Sequence, residues 1–217
     1  MNTSNFYVCS KVIDLDCVII CLYVYDMLIF DTRMRVINET KKLMSSHFEM
    51  KNVGEVDVIL GIKIRKTNDE FSLSQSHYIE KMLKKFNCFD VLTMRTPYNS
   101  NIHFKNNKGF SVSQTEYAKI IGSVMFLMNY TRPNIVYAAS RLSRYTHNPS
   151  KEHWDALFRL LKYLRGTIDW CLHFNKIFAV LESFCDANWV FDNDEVSSTR
   201  GYVFTLGRGF VEVRFTM

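Results

Sequence analysis

The stretch Asp16 to Tyr25, DCVIICLYVY, is an almost unbroken run of β-branched, aromatic and other apolar side chains, and Met27 to Phe30 resumes it after the lone carboxylate of Asp26. The run has no helical period and falls far short of the roughly 20 residues a bilayer-spanning helix needs. It therefore predicts a buried β-hairpin with its turn around Tyr25-Asp26. A hairpin this apolar has to be covered. The next segment, Arg33 to Phe48, supplies a cover: Val36, Ile37, Thr40, Leu43, Met44 and Phe48 recur at helical spacing, which predicts a helix packed on the hairpin.

Further along, Val56 to Ile64 (VDVILGIKI) and Phe71 to Leu73 read as two strands separated by the polar turn Lys66 to Glu70. Ser74 to Asn87 reads as a helix with Ile79, Met82, Leu83 and Phe86 inward and Lys81, Lys84 and Lys85 outward. Thr96 to Ser113, rich in Asn, Ser and Lys, reads as a linker between two structural units. Three helices are predicted after it, over Gln114 to Tyr130, Ile135 to Tyr145 and Lys151 to Arg165. Ser150 is placed to cap the last of them and Gly166 to end it. Strand-like runs at Trp170 to Phe174, Val180 to Phe184 and Gly201 to Leu206 suggest a new β-rich unit beginning near Asp169. No internal repeat of 20 to 50 residues is visible.

Composition adds bounds. With 47% hydrophobic residues, 3 prolines and 8 glycines, the chain can build a core and is not a low-complexity tail. The net charge of +5 permits an anionic partner without requiring one. The basic residues are concentrated: between Arg132 and Arg165 there are seven Lys or Arg against Glu152 and Asp155, while Glu182, Asp186, Asp192, Asp194 and Glu195 gather later. The six cysteines form no C-x-x-C pair and the histidines show no zinc spacing, so they read as reduced thiols suited to cytoplasm or nucleus. No signal-peptide pattern and no membrane span are present.

A turn between two rigid strands that presents adjacent carboxylates can hold two divalent cations, which activate a 3′-hydroxyl and stabilise a leaving pyrophosphate. A single Asp in such a turn, taken alone, is an ordinary turn former. Here, however, Tyr23-Val24-Tyr25-Asp26-Met27-Leu28-Ile29 resembles the Y-V-D-D-M-L-I signature of reverse transcriptases, with Tyr25 where the first Asp belongs. Other blocks follow in order. Phe48 to Gly54 is similar to F-x-M-K-D-L-G, Leu60 to Ile64 to L-G-I-x-I, Ser72 to Ile79 to L-S-Q-x-x-Y-I, and Tyr117 to Ser123 to Y-R-x-x-I-G-S-L. Thr131 to Ile135 matches T-R-P-D-I, and His153 to Thr167 matches H-W-x-A…L-R-Y-L-x-G-T. Phe184 to Trp189 resembles the D-A-D-W entry strand of an attached RNase H, and Ser198 to Phe204 its S-T-S-G-Y-V-F. The chain is thus similar, over roughly Cys17 to Gly209, to Ty1/copia-type retrotransposon Pol polyproteins.

The resemblance implies an α+β fold: a partial reverse transcriptase palm hairpin and helix, thumb or connection helices, then the opening strands of an incomplete RNase H-like sheet. The implied boundaries are 1–95 for partial palm and thumb, 96–113 for a linker, 114–168 for the helical thumb or connection, and 169–217 for the RNase H-like start. It also implies Mg²⁺ or Mn²⁺ as cofactor, with Asp26 the remaining palm carboxylate and Asp186 the first RNase H carboxylate, both of them residual metal ligands.

A second palm carboxylate strand and the fingers would lie before Met1, and the later RNase H acids after Met217. Tyr25 cannot replace the missing ligand, because a free phenol ionises only near pH 10. Asp14 and Asp16 stand too close to the hairpin to supply that strand, although either could sit near the turn. Asp31 is a weak rescue candidate. Glu212 is a conceivable partner for Asp186 only in a rearranged fold, since the sequence from Gly207 to Met217 departs from the family pattern.

Arg159, Lys162 and Arg165 share a helix face suited to phosphate contacts on an RNA or DNA template-primer duplex, weak and non-specific. Trp154, Leu157, Leu161 and Leu164 read as core. The leading expectation is a catalytically inactive fragment. The alternatives are an active RNA-directed DNA polymerase when the rest of a Pol polyprotein or a partner completes it, and a non-catalytic nucleic-acid-binding or interaction module.

Overall fold

The computed structural model describes residues 7–13, 16–175, 180–188, 199–207 and 209–216. The chain divides into two compact units, Met1–Glu55 and Val56–Met217. The first holds a three-stranded antiparallel sheet of β1 (Val8–Ile13), β2 (Asp16–Tyr23) and β3 (Asp26–Phe30) in that order, followed by helix α1 (Met34–His47). The hairpin turn is Val24-Tyr25 and not Tyr25-Asp26, because Asp26 already pairs with Tyr23 in the ladder. Val24 takes φ +51°, the left-handed value that a tight two-residue hairpin turn favours. A β-branched residue adopts it at a cost of roughly 1–2 kcal/mol.

Two further expectations change in this unit. An extra strand, β1, lies along β2 from Val8↔Cys21 to Ile13↔Asp16. The predicted burial is also absent within the unit. Among its described residues Val18 alone belongs to the buried core, Leu22 and Phe30 are exposed, and α1 buries none of its side chains.

In the second unit, the single strand predicted for 56–64 is two: β4 (Val58–Ile59) and β5 (Ile62–Lys66), paired antiparallel. Leu60 and Gly61 between them sit at φ +51° and +74°, so the backbone reverses where the pattern looked continuous. Strand β6 (Glu70–Ser74) and helix α2 (Ser76–Lys85) follow. Helices α3 (Gln114–Tyr130), α4 (Val136–Ser143) and α5 (Lys151–Gly166) come next, with a 3-10 turn at Pro133–Ile135 before α4.

Strand β7 (Leu172–Asn175) does not open a new unit near Asp169. It pairs with β6, Leu73 opposite Leu172, and completes a four-stranded sheet in the order β4-β5-β6-β7. Strands β8 (Leu181–Asn188), β9 (Thr199–Leu206) and β10 (Gly209–Thr216) form a separate antiparallel meander. The last of these strands was not anticipated. Where β10 begins, Gly207 accepts a hydrogen bond from Asn175 N at 2.7 Å, and a Cβ at Gly207 would collide with the Asn175 carbonyl.

The core of this unit is helical. Ile79, Met82 and Leu83 of α2 cluster with Tyr117, Ile120, Val124 and Leu127 of α3, Ala138, Ala139 and Leu142 of α4, and Leu157, Leu160, Leu161 and Leu164 of α5. Each fully buried aliphatic side chain contributes about 1.5–3 kcal/mol relative to exposure. The segment 96–113 belongs to this assembly. Phe104 is 1% exposed inside the cluster, and the division between compact units falls at Glu55/Val56 instead.

Helix α5 carries a capping box. Ser150 Oγ accepts from His153 N, and His153 Nδ1 accepts from Ser150 N at 2.9 Å. The imidazole is fully buried and stacked on Tyr145 at 3.8 Å. Gly166 is the last residue of the helix, and its role is close approach: a Cβ there would lie 3.0 Å from Thr93 Cβ.

Burial lowers the His153 pKa from its ordinary 6.5, with neighbouring Glu152 opposing the shift. The neutral ring therefore contributes stability that is present above about pH 6.5. That contribution is lost as the pH falls toward the depressed folded value, because the unfolded chain takes up the proton first. Urea unfolding at pH 7.5 and 5.5 should show a larger acid loss for the wild type than for His153→Gln; equal losses would refute the linkage. Arg132, 1% exposed, donates through Nη2 to the carbonyls of Thr167 and Ile168. Arg132→Met is expected to lower unfolding free energy by about 1–3 kcal/mol, and an unshifted denaturation midpoint would count against that role.

Candidate metal and nucleic-acid site

The β2–β3 hairpin presents Tyr23, Val24, Tyr25 and Asp26 at its tip, all exposed, with the Tyr25 side chain wholly in solvent. Asp26 is the single acid there. Asp16 opens β2 opposite Ile13, at the far end of that strand from Tyr23, so it does not sit near the turn. Asp14 lies outside the described residues. Asp31 follows the other end of β3, five residues or about 17 Å from Asp26. It accepts a hydrogen bond from Arg33 N at 2.7 Å just before α1 begins. A cation pair bound at Asp26 cannot draw on either. Among the described residues, no group of three or more His, Cys, Asp or Glu could hold a metal ion.

The later carboxylates are also separated. Asp186 occupies β8 opposite Gly201, and its side chain lies outside the described residues, as do Asp192, Asp194 and Glu195. Glu212 on β10 pairs with Phe204, which in turn pairs with Ser183. The register thus sets Glu212 three residues along the sheet from Asp186.

The basic face of α5 makes contacts within the chain. Arg159 Nη2 donates to Thr96 Oγ1 at 2.7 Å, and Arg165 Nε donates to the Phe89 carbonyl at 2.8 Å. The Arg165 guanidinium also lies 4.6 Å from the Phe89 ring centroid, with Lys84 on the same ring at 5.0 Å. The Lys162 carbonyl accepts from Met94 N, and Gly166 abuts Thr93. The segment from Phe89 to Thr96 is therefore strapped across this face, and the three basic residues are half-buried beneath or beside it. Trp154 packs against Tyr117 and Phe158, and Leu157, Leu161 and Leu164 are core as expected.

Sequence spacing missed a buried polar pair. Gln75 Oε1 accepts from Thr131 Oγ1 at 2.6 Å, joining the end of β6 to the end of α3, next to the buried Arg132. Both partners lie in the L-S-Q and T-R-P blocks, the signal that could have singled them out. No helix among the described residues is long and apolar enough to cross a membrane.

Comparison with known proteins agrees with the motif order. Residues 3–100 match the family model described as reverse transcriptase (RNA-dependent DNA polymerase). The retrovirus-related Pol polyprotein from transposon TNT 1-94 of Nicotiana tabacum is 36% identical over 204 residues, covering 89% of this chain and 15% of that polyprotein. The one from transposon RE2 of Arabidopsis thaliana is 34% identical over 188 residues, 86% of this chain and 13% of its own length. The chain thus spans about one seventh of these polyproteins. An uncharacterised mitochondrial protein of Arabidopsis thaliana is 30% identical over 187 residues, covering 86% of this chain and 78% of that protein. No solved structure matches. This chain thus belongs with the copia-type retrotransposon Pol polyproteins over most of its length, and residues 3–100 fall in their reverse transcriptase family.

Proposed function

We propose that this chain is a reverse transcriptase segment of a copia-type Pol polyprotein that does not itself catalyse DNA synthesis. In this reading β2, β3 and α1 are the palm hairpin and its helix, the helical block is thumb or connection, and β8 to β10 open an RNase H-like sheet. The observation that carries it is Tyr25. At the fully exposed hairpin tip a phenol stands where the family pattern has a carboxylate, leaving Asp26 alone.

Mg²⁺ or Mn²⁺ supplies, in this family, the charge that activates the attacking hydroxyl and steadies the leaving pyrophosphate. The donor set here does not fit a pair of such ions. One carboxylate supplies too little negative charge and too few oxygens to hold two dications about 3.5–4 Å apart. Asp16 stands at the far end of β2 and Asp31 lies past the end of β3, so neither reaches the tip. A living polymerase completed by the rest of a polyprotein would still meet this shortage, which favours the inactive reading over that alternative. Retention of nucleic-acid binding without chemistry is compatible with both the charge balance and the family.

Primer extension on an RNA template with Mg²⁺ or Mn²⁺ is expected to give no product from this chain; robust synthesis would overturn the proposal. With the chain embedded in a full-length Pol polyprotein, Tyr25→Asp is expected to raise synthesis by more than about 100-fold, since disturbing even outer-shell partners of a metal costs about 10–100-fold. Equal rates for Tyr25 and Tyr25→Asp would show that the missing carboxylate is not what limits it.

A further inference from the structure

A strand at the border of a sheet keeps the hydrogen-bonding groups of one side unspent, and another chain can pair with them. Short length, lysine or proline, a bulge, or cover by another element are the usual protections. In the second unit β4 is two residues long, and the end of β7 is met by the hydrogen bond from Asn175 N to the Gly207 carbonyl. Strand β10 breaks register between Phe210 and Glu212 and lies against β7 and α4. Strand β8 has none of these protections. Its eight residues, Leu181–Asn188, run in unbroken register with β9, include no Lys or Pro, and have no strand on their other side among the described residues. Leu181 and Phe184 are 66% and 58% exposed, and Glu182, Ser183 and Cys185 are exposed with them.

The sequence of β8 is compatible with itself in one register. Two copies related by a twofold axis pair antiparallel, and opposed residues share a face, so the axis passes between one residue and its own mate. An axis at Phe184 pairs 181–187 with the same residues of the second copy, and an axis at Cys185 pairs 182–188; axes nearer either end pair fewer residues. The first sets Glu182 opposite Asp186, two acids in direct opposition, which destabilises a ladder. The second sets Glu182 opposite Asn188, Ser183 opposite Ala187 and Phe184 opposite Asp186, and it brings Cys185 against its own counterpart. Acids then meet only on diagonals of about 7–8 Å, where water and salt weaken their repulsion. The two exposed Phe184 residues stand on a diagonal as well, a separation that aromatic rings can bridge.

We infer that two copies of this chain pair edge to edge through β8, antiparallel and in register about Cys185, joining their three-stranded meanders into one continuous sheet. The contact is isologous, so one pairing uses both free edges and assembly stops at two copies. Its area is that of a single strand edge, small beside the about 1,200–2,000 Å² of a standard stable interface. The dimer is therefore reversible and depends on concentration. The inference stands on strand order and register and is independent of whether the chain polymerises DNA. It requires no disulfide, because Cys185 is a free thiol. Its position makes it a reporter: opposed Cβ atoms in a ladder lie about 4.5–5.5 Å apart, close to the about 3.5–4.5 Å that a disulfide spans.

The test is sedimentation velocity of the full chain over about a hundredfold range of concentration, with a reversible shift from monomer to dimer expected as it rises. Cys185→Ser should keep that shift. Cys185→Lys and Cys185→Glu each oppose two like charges at the axis, and each is expected to weaken self-association at least about tenfold. An equimolar mixture of the two charged variants should restore the dimer, now with one copy of each. Denaturation midpoints establish that the variants keep the fold, and where a charged variant loses it, oxidation decides. Diamide, an azo oxidant that takes up two electrons and two protons as two thiols join, is expected to give a covalent dimer on a non-reducing gel. That band should persist in a Cys9→Ser, Cys17→Ser chain and be lost in Cys185→Ser. A chain that stays monomeric throughout, a mixture no more associated than its components, a covalent band undiminished in Cys185→Ser, or assemblies that grow past two copies would each overturn the inference.

Discussion

The second unit depends on how Arg132 is buried. A guanidinium taken out of water costs several kcal/mol, less where its donors are met, and here burial pulls its pKa below the usual arginine range. Its Nη2 reaches the Thr167 and Ile168 carbonyls, which are the acceptors left open where α5 ends. A cation at a helix C-terminus also gains from the macrodipole, by up to about 2 kcal/mol in partly buried sites. The contact fixes the junction from which β7 departs, and β7 is the strand that completes the sheet with β6. Gln75 and Thr131 close the same junction from the other side. The T-R-P block thus has a structural explanation in this chain: it anchors the end of α3 to the end of α5.

The helical half of the fold was legible because its signals are local. Gln114–Tyr130 matches its periodicity to the residue, and Ser150 caps α5 as its position implied. The errors lie where the backbone conformation departs from what side-chain type suggests. VDVILGIKI reads as one strand because Val, Ile and Leu all favour extended chain. The reversal is set by Leu60 and Gly61 in left-handed conformation, and no residue there announces it except the glycine. The hairpin tip was misplaced by one residue for a similar reason. Val24 occupies a conformation its β-branch disfavours, and Asp26, a good turn former, is instead spent in the ladder.

Spacing on α5 illustrates the limit of reading a site from one element. Arg159, Lys162 and Arg165 do share a face, but a segment 63 to 76 residues earlier in the chain, Phe89 to Thr96, lies on it. Only tertiary structure can show that a guanidinium already meets a carbonyl and an aromatic ring. The candidate metal residues were legible as identities, Tyr25 for Asp above all, while the distances that isolate Asp31 and Asp16 from Asp26 required the sheet.

Charge is one of two requirements that a paired-cation site imposes, and rigidity is the other: ligands must be held to within about half an ångström by packed neighbours. In the first unit the hairpin carrying Asp26 has Val18 as its core residue among those described, and α1 contributes no buried side chain. Three-stranded sheets need an apolar face packed on something to be stable in their own right. Within its own unit, then, Asp26 sits on an underpacked strand, exposed, beside a wholly solvated phenol. Restoring a second carboxylate would supply charge without supplying the packing that fixes its position. The two deficits are physically independent, so a chemically competent hairpin has to gain an acid at Tyr25 and also a surface that covers β1 to β3.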